Sequence, residues 1–288
     1  MTDTPTPGST TSSVPPARPV SRPGRLARTS WARTPPARAL REIVQVAGVL
    51  PLTRSQVHLD VHGLEELRGF DEPALIVANH ASHLDTGVLL STLPPARRRR
   101  TAVAAAADYF FDTWWRAAGS GIAFNTFPLE RGHSRLATPG DLLADGWSVI
   151  VYPEGTRSPD GFVGRFKLGA AWLAVQHQVP VIPVGLRGTY AAMPRGSRWV
   201  VRGRPRVSVR YGTPIRPEPG EGVRVLAPRI ATAVQDLVSE DVTSWWRTQR
   251  RDSHPVTVPP PGSWRRTWEQ SEPPSEGGHA RRTTIWRS

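Results

Sequence analysis

Hydrophobic and polar positions follow three regimes along the chain. Residues 1–42 are Pro, Ser, Thr and Arg with almost no apolar periodicity, and residues 245–288 return to Pro, Gly, Ser and Arg with scattered Trp. Between them, short apolar runs alternate with segments whose apolar residues recur at helical spacing. VHLDVHGL, from Val57 to Leu64, alternates polar with apolar residues and turns at Gly63, which predicts a half-buried strand. ALIVAN, Ala74 to Asn79, is apolar almost throughout and predicts a fully buried one. DTGVLLSTL reads as a helix that Pro94 and Pro95 stop. Thr101 to Ala107 fits either strand or helix, and Asp108 to Ala118 reads as a helix. IAFNTF predicts a strand, Ser134 to Asp145 a helix, WSVIVYP a buried strand and Lys167 to His177 a helix. VPVIPVGL predicts a further strand, RWVVRG and RVSVRYG a hairpin-like pair, and Val223 to Val238 an amphipathic helix.

This alternation predicts an α/β fold: one domain over residues 43–244 with a largely parallel central sheet flanked by helices. The two ends cannot bury enough apolar surface to offset their ordering entropy, so 1–42 and 245–288 are expected to be disordered basic tails. No internal repeat is visible.

Composition sharpens the picture at four points. The 288 residues carry a formal net charge of +13. The first tail holds seven arginines against Asp3 and Glu42, and the second eight against Asp252, Glu269, Glu272 and Glu276. Most of the basicity is therefore in the tails, which suit a polyanion, either nucleic acid or an anionic membrane surface. There is no cysteine, which excludes disulfides, Cys-ligated metals and a cysteine nucleophile. The first thirty residues lack the apolar segment of a secretory signal. No run approaches the roughly 18 apolar residues of a membrane span, and the longest candidate, Ile43 to Leu52, is too short.

Three polar clusters fall where strands end, at Asn79–His80, at Tyr152–Glu154 and from Phe124 to Arg131, the place where open α/β sheets gather their chemistry. In VANHASHLD, His80 follows the buried strand and Asp85 comes five residues later. Three readings fit. Asn79 and Ser82 can be caps of the next helix. His83 and Asp85 form half of a facial iron site, which needs a distal His such as His133 or His177, and His80 with His83 forms half of a zinc site. Alternatively, Asp85 orients the His80 ring so that its other nitrogen serves as a general base for a hydroxyl. Neither metal reading finds a third ligand in a supporting context. The second cluster, VYPEGTRSPDG, places Glu154, Gly155, Thr156 and Arg157 directly after a strand. Gly155 allows backbone to approach a ligand, and the Arg157 guanidinium suits a phosphate. A turn with a surface ion pair accounts for Glu and Arg equally well.

NHASHLD resembles the NHxSxxD block, with its HX4D core, of the glycerolipid acyltransferases of the 1-acylglycerol-3-phosphate acyltransferase type. YPEGTRS resembles the FPEGTRS block of the same family, in the same order. Between them FNTFPLERG resembles the second block, which ends in an arginine, here Arg131, and VPVIPVGLRG resembles the fourth. The blocks run from Asn79 to Val184. Tyr152 stands where the family usually has Phe, and the second block is longer and more apolar than GxxFIDR. Many relatives carry an N-terminal hydrophobic anchor, where this chain has a short amphipathic stretch, Ala39 to Leu52.

The resemblance implies transfer of a fatty acyl group from an acyl thioester to the free hydroxyl of 1-acylglycerol-3-phosphate, giving phosphatidic acid. His80 would be the general base and Asp85 its orienting partner. Arg131, Glu154, Gly155, Thr156, Arg157 and Lys167, the only lysine, would bind or shape the site for the acceptor phosphate. For Lys167 a plain surface role at a helix start is an equal alternative. No metal or resident cofactor is implied, and acyl-CoA or an acyl carrier protein would be the co-substrate donor. The expected partners are that donor, a lysophospholipid acceptor and a membrane surface met peripherally, at the cytoplasmic, inner face of the cell membrane, with no specific nucleic acid. The run Arg97 to Arg100, the pair Phe110 and Phe111, and the pair Trp114 and Trp115 are candidate interface groups, with the aromatics as readily core. Another lysophospholipid or a glycolipid is the alternative acceptor, and a polyanion-binding role for the tails the alternative from a different class.

Overall fold

The computed structural model describes residues 30–106, 114–129, 137–197 and 199–240. Seven strands form one sheet: β1 His58–His62, β2 Leu75–Ala78, β3 Thr101–Ala106, β4 Thr126–Leu129, β5 Ser148–Val151, β6 Val181–Arg187 and β7 Arg206–Tyr211, in the spatial order β1-β7-β6-β2-β5-β3-β4. The five strands from β6 to β4 run parallel. β7 is antiparallel to β6 and parallel to β1, so this edge pair runs against the rest.

The period of two along β2 sorts its residues onto two faces. Leu75 and Val77 join Val149, Val151, Leu173, Leu226, Ile230 and Val234 in one apolar cluster, whereas Ile76 and Ala78 join Val88, Leu89, Ile150 and Ile182 in the other. Both faces are covered, which is why β2 reads as a continuous apolar run. One layer is formed by α7 Gly169–His177 and α9 Val223–Glu240, the other by α3 Leu84–Thr92 and the short α8 Thr189–Ala192. The remaining helices are α1 Pro35–Val44, α2 Leu50–Gln56, α4 Pro95–Arg99, α5 Trp114–Phe124 and α6 Ala137–Ala144. Full burial of Leu75, Ile76, Val77, Ile150 and Ile182 contributes about 1.5–3 kcal/mol per side chain.

Three expectations need correction. The first tail does not extend to residue 42: a 3-10 turn, Ser30–Arg33, leads into α1, a π turn, Gln45–Val49, and α2. Thr34 with Pro35 and Pro36 starts that helix, because proline is preorganised for the first turn, and Arg41 and Gln45 bury the inner side. IAFNTF is not one strand: Ile122 to Phe124 end α5, Asn125 has φ +54°, and β4 starts at Thr126. The left-handed residue breaks the helix, and its side-chain amide donates to the Thr101 carbonyl at 2.9 Å. RWVVRG forms no strand among its described residues, and β7 takes β6 and β1 as partners. Gly63 closes β1, and a Cβ there would meet the Tyr211 carbonyl oxygen at 1.9 Å with φ at +75°. Among the described residues no helix is long and apolar enough to cross a membrane.

Candidate active site

β2 and β5 lie side by side in parallel register, with Val77 opposite Val151. The residues three places beyond, His80 and Glu154, therefore leave the same edge of the sheet next to one another. The Glu154 side chain turns inward. Its Oε1 accepts the His80 backbone N–H at 2.7 Å and its Oε2 the Gly164 N–H at 2.9 Å. Burial pushes this carboxyl above the ordinary range, and the two backbone donors and His80 pull it back. The Ser158 N–H donates to the His80 carbonyl at 2.7 Å. Both polar groups of the His80 backbone are thus held by the segment that follows β5.

The His80 side chain is fixed from the other motif. Asp85 enters from the first turn of α3 with its side chain wholly buried. One oxygen, Oδ2, meets His80 Nδ1 at 2.8 Å and accepts the N–H groups of Ala81 and Ser82, also at 2.8 Å. A carboxylate held by three donors keeps the proton on Nδ1 and leaves Nε2 as the basic nitrogen. The ring, 21% exposed, is stacked by Tyr152 at 4.2 Å between centroids. The Tyr152 hydroxyl lies 3.0 Å from Thr86 Oγ1, and burial, then the Asp85 charge, pushes its pKa well above the ordinary phenol value.

The neighbours of the base are structural. The Asn79 amide accepts from the Leu186 N–H at 2.8 Å and donates to the Leu186 carbonyl at 2.9 Å, clipping β2 to β6. Ser82 Oγ donates to the Met193 carbonyl and accepts the Leu84 N–H, while His83 holds the N-cap position of α3 with no side-chain cap bond, so neither Asn79 nor Ser82 is the cap. His83 is pushed down to about 4 by burial, then by the charges of Arg157 and His80, with Asp85 opposing. Among the described residues no three His, Asp or Glu side chains gather in a way that could hold a metal ion.

On the outer side of the site, Gly155 is exposed with φ +73°, and a Cβ there would stand 2.3 Å from Lys167 Nζ. The Lys167 backbone N–H donates to the Pro153 carbonyl at 2.9 Å, which folds the ammonium back over the turn. α7 begins two residues later, at Gly169, so Lys167 is not a helix-start residue. Thr156 is exposed and Arg157 half-buried. Among the described residues no carboxylate pairs with Arg157 or Lys167, which leaves one cation acting on His83 and another over Gly155.

His80, Asp85, Glu154, Gly155 and Lys167 are therefore brought together, and Arg157 is electrostatically coupled to His83 beside them. Each Glu154 oxygen accepts one backbone N–H, so this carboxylate positions His80 and shapes the wall of the site. Arg131, Phe110, Phe111 and His133 lie outside the described residues, and Trp114 and Trp115 are described only as backbone of α5. The arginine run divides. Arg97 donates to the carbonyls of Phe70 and Glu72 and to Ser148 Oγ, and buried Arg98 pairs with Glu42 at 3.0 Å. Neither is available to a lipid headgroup. Sequence reasoning missed the Tyr152 stack, the Ser158 bond and the Asn79 clip. For the first, the ring at the family's Phe position was the available signal.

Residues 58–187 match the Acyltransferase family model. A chloroplastic 1-acyl-sn-glycerol-3-phosphate acyltransferase of Brassica napus is 35% identical over 147 residues, which is 49% of this chain and 41% of that protein. The chain thus spans about two fifths of that plastid relative's length. A 1-acyl-sn-glycerol-3-phosphate acyltransferase of Pseudomonas aeruginosa is 29% identical over 204 residues, covering 69% of this chain and 74% of the relative. The crystal structure of the 1-acyl-sn-glycerophosphate (LPA) acyltransferase of Thermotoga maritima superposes with a TM-score of 0.58 at 27% identity, over 71% of this chain and 82% of the other.

Proposed function

We propose, from the match of residues 58–187 to the Acyltransferase family model, that the chain is an acyltransferase moving a fatty acyl group from an acyl thioester to the free hydroxyl of 1-acylglycerol-3-phosphate, giving phosphatidic acid. The observation that carries the reading is the His80–Asp85 pair on the same sheet edge as two cations that pair with no described carboxylate: Arg157, whose charge reaches His83, and Lys167, whose ammonium lies over Gly155. A base next to an anion seat is what a phosphate-bearing alcohol requires. The named relatives act on the same acceptor class.

The chemistry needs no covalent enzyme intermediate. The acceptor phosphate is held by Arg157 and Lys167, with Gly155 leaving room for backbone approach. His80 Nε2 takes the hydroxyl proton as the oxygen bonds to the thioester carbonyl carbon. Asp85 stabilises the imidazolium. Collapse of the tetrahedral adduct breaks the carbon–sulfur bond, and the leaving thiolate recovers the proton from His80. Acyl-CoA or acyl carrier protein serves as donor.

A peripheral membrane position, on the inner leaflet, fits the exposed apolar side chains. Leu40, Ile43, Val46 and Leu52 are each between 48% and 63% exposed along α1, the π turn and α2. Trp199, 65% exposed, lies in the segment entering β7, and this segment is tied to α2 by the Arg204 guanidinium on the Arg54 carbonyl at 3.0 Å. Since β7 is antiparallel to β6, that segment lies at the carboxyl end of β6, the edge where His80 stands.

The deciding experiment compares purified wild type with His80→Ala in acyl transfer from a long-chain acyl-CoA to lysophosphatidate. Wild-type turnover that falls by about 10³-fold or more in the variant, with the fold retained, is expected. Equal rates in the two proteins overturn the role of His80.

A further inference from the structure

We propose that the cleft between α1 and the amino ends of β3 and β5 is a binding site for a phosphate-class anion, separate from the catalytic edge. The cleft has a volume of about 310 Å³ and is lined by Pro35, Arg38, Arg41, Glu42, Gln45 and Arg99. Positions 38, 41, 42 and 45 repeat at helical spacing, so α1 and the π turn present them on one side.

Among the described residues the charge on this side is not balanced. Arg41 is 4% exposed, its Nη2 donates to the Ala32 carbonyl, and its Nε is buried with no hydrogen-bond acceptor among the described residues. Glu42 is already shared by Arg98 at 3.0 Å and Arg99 at 3.1 Å. Arg38 lies over the Trp147 ring at 5.7 Å and pairs with no carboxylate among the described residues. Gln45 spends its amide N–H on the Ala123 carbonyl at 2.8 Å. Burial, then the charges of Arg33 and Arg38, pushes Arg41 down to about 10, and Asp145 faces Arg33.

A buried cation without a counter-charge is strongly unfavourable, and the unsatisfied guanidinium edge adds to that cost. A tetrahedral dianion supplies what is missing: several acceptor oxygens within reach of the guanidinium forks of Arg38, Arg41 and Arg99. The cleft lies at the small end of ligand sites, which suits a phosphate group. It is not the catalytic seat. Trp147 precedes β5 and Glu154 follows it, so the cleft and His80 stand at opposite ends of that strand. Bound anion would tie α1 to the body of the domain. Leu40 and Ile43 face outward on the opposite side of the same helix, so the phosphate can come from an anionic lipid headgroup or from solution.

The test is the thermal unfolding midpoint of the full chain against inorganic phosphate, with chloride holding ionic strength constant. A saturable rise is expected, retained in Arg157→Ala. Half-saturation should move up roughly tenfold or more in Arg38→Ala and Arg41→Met. Because Arg38 and Arg99 are exposed, Arg38→Ala and Arg99→Ala decide the matter if Arg41→Met fails to fold. No rise in wild type, or a rise abolished by Arg157→Ala and untouched by Arg38→Ala, overturns the proposal. Dihexanoyl phosphatidate in place of phosphate separates the sources. Tighter half-saturation with the same Arg38 dependence assigns a lipid headgroup, and equal half-saturation assigns phosphate itself. The outcome is independent of whether acyl transfer is observed.

Discussion

The Tyr152 ring lies against the His80 imidazole, with centroids 4.2 Å apart and planes 19° from parallel. The strand that delivers Glu154 to the His80 backbone therefore also delivers the surface against which the His80 ring rests. Asp85 fixes the edge of the same ring from α3. Two motifs separated by more than sixty positions thus restrain one side chain in its backbone, its edge and its face, and a base restrained in this way loses little entropy on reaching its working geometry.

Tyr152→Phe keeps the stack and removes only the hydroxyl that meets Thr86. Its expected cost is about 0.5–1.5 kcal/mol of stability, as for one hydrogen bond, with turnover changed only a few-fold. Tyr152→Ala removes the stack, and misplacement of the ring should lower kcat by roughly 10²-fold. Urea unfolding and steady-state kinetics on both variants separate packing from ring placement.

Asp85→Asn removes the negative charge while keeping the side chain's size. The Nδ1–H preference is lost and the imidazolium is no longer stabilised, so kcat should fall on the order of 10²–10⁴-fold. The KM for the acceptor should hardly move, because Asp85 is wholly buried and does not face the acceptor. A variant that raises KM and spares kcat would contradict the assignment.

Arg157→Ala and Lys167→Ala should show the reverse pattern. Each removes a charge-assisted contact worth about 1.5–3 kcal/mol, so KM for lysophosphatidate should rise by about 10–150-fold per variant. A neutral monoacylglycerol acceptor supplies the control, since its weak turnover should be the same in wild type and variants. Equal losses on both acceptors would remove phosphate binding from these side chains.

The sequence made the strands of the central sheet legible because β2, β5 and β6 are buried on both faces and read as apolar runs between breakers. It made His80, Asp85 and the turn after β5 legible because both clusters sit at strand ends. It misplaced the start of β4 because Ile122, Phe124, Thr126 and Phe127 carry β-favouring side chains, whereas the φ of +54° at Asn125 that ends α5 is invisible to periodicity. It carried the first tail on to residue 42 and so missed the order of residues 30–42 because Arg41 is their inward anchor, and a polar anchor writes no hydrophobic pattern. It placed Glu154 at the site but not its partners, because nothing local marks a carboxylate that accepts backbone N–H groups 74 and 10 positions away.

Asn79 tests the distinction between motif and mechanism. Its amide makes two hydrogen bonds with the Leu186 backbone and none with the reacting groups. Asn79→Ala leaves a buried N–H and carbonyl without partners, so a loss of about 2–4 kcal/mol is expected. The kcat per folded molecule should remain within roughly tenfold of wild type. Chemical denaturation paired with active-site-normalised rates checks this, and a stable but inactive variant would place Asn79 in the chemistry.

His83 gives the site its acid sensitivity. Burial, Arg157 and His80 hold it down to about 4, below its ordinary 6.5, with only Asp85 opposing. A group whose folded pKa is depressed binds protons more readily in the unfolded chain. Its contribution to stability is therefore complete above about pH 6.5 and is lost as pH falls toward about 4. Glu154 has the opposite sign, since its raised folded pKa gives stability below 4.5 that is lost as pH rises through the folded value. Comparison of wild type with His83→Gln isolates the histidine, because Glu154 is common to both. Urea midpoints at about pH 7.5 and about pH 5 should differ clearly in wild type and much less in His83→Gln. If the two proteins lose stability in parallel across that window, His83 is not the group that titrates.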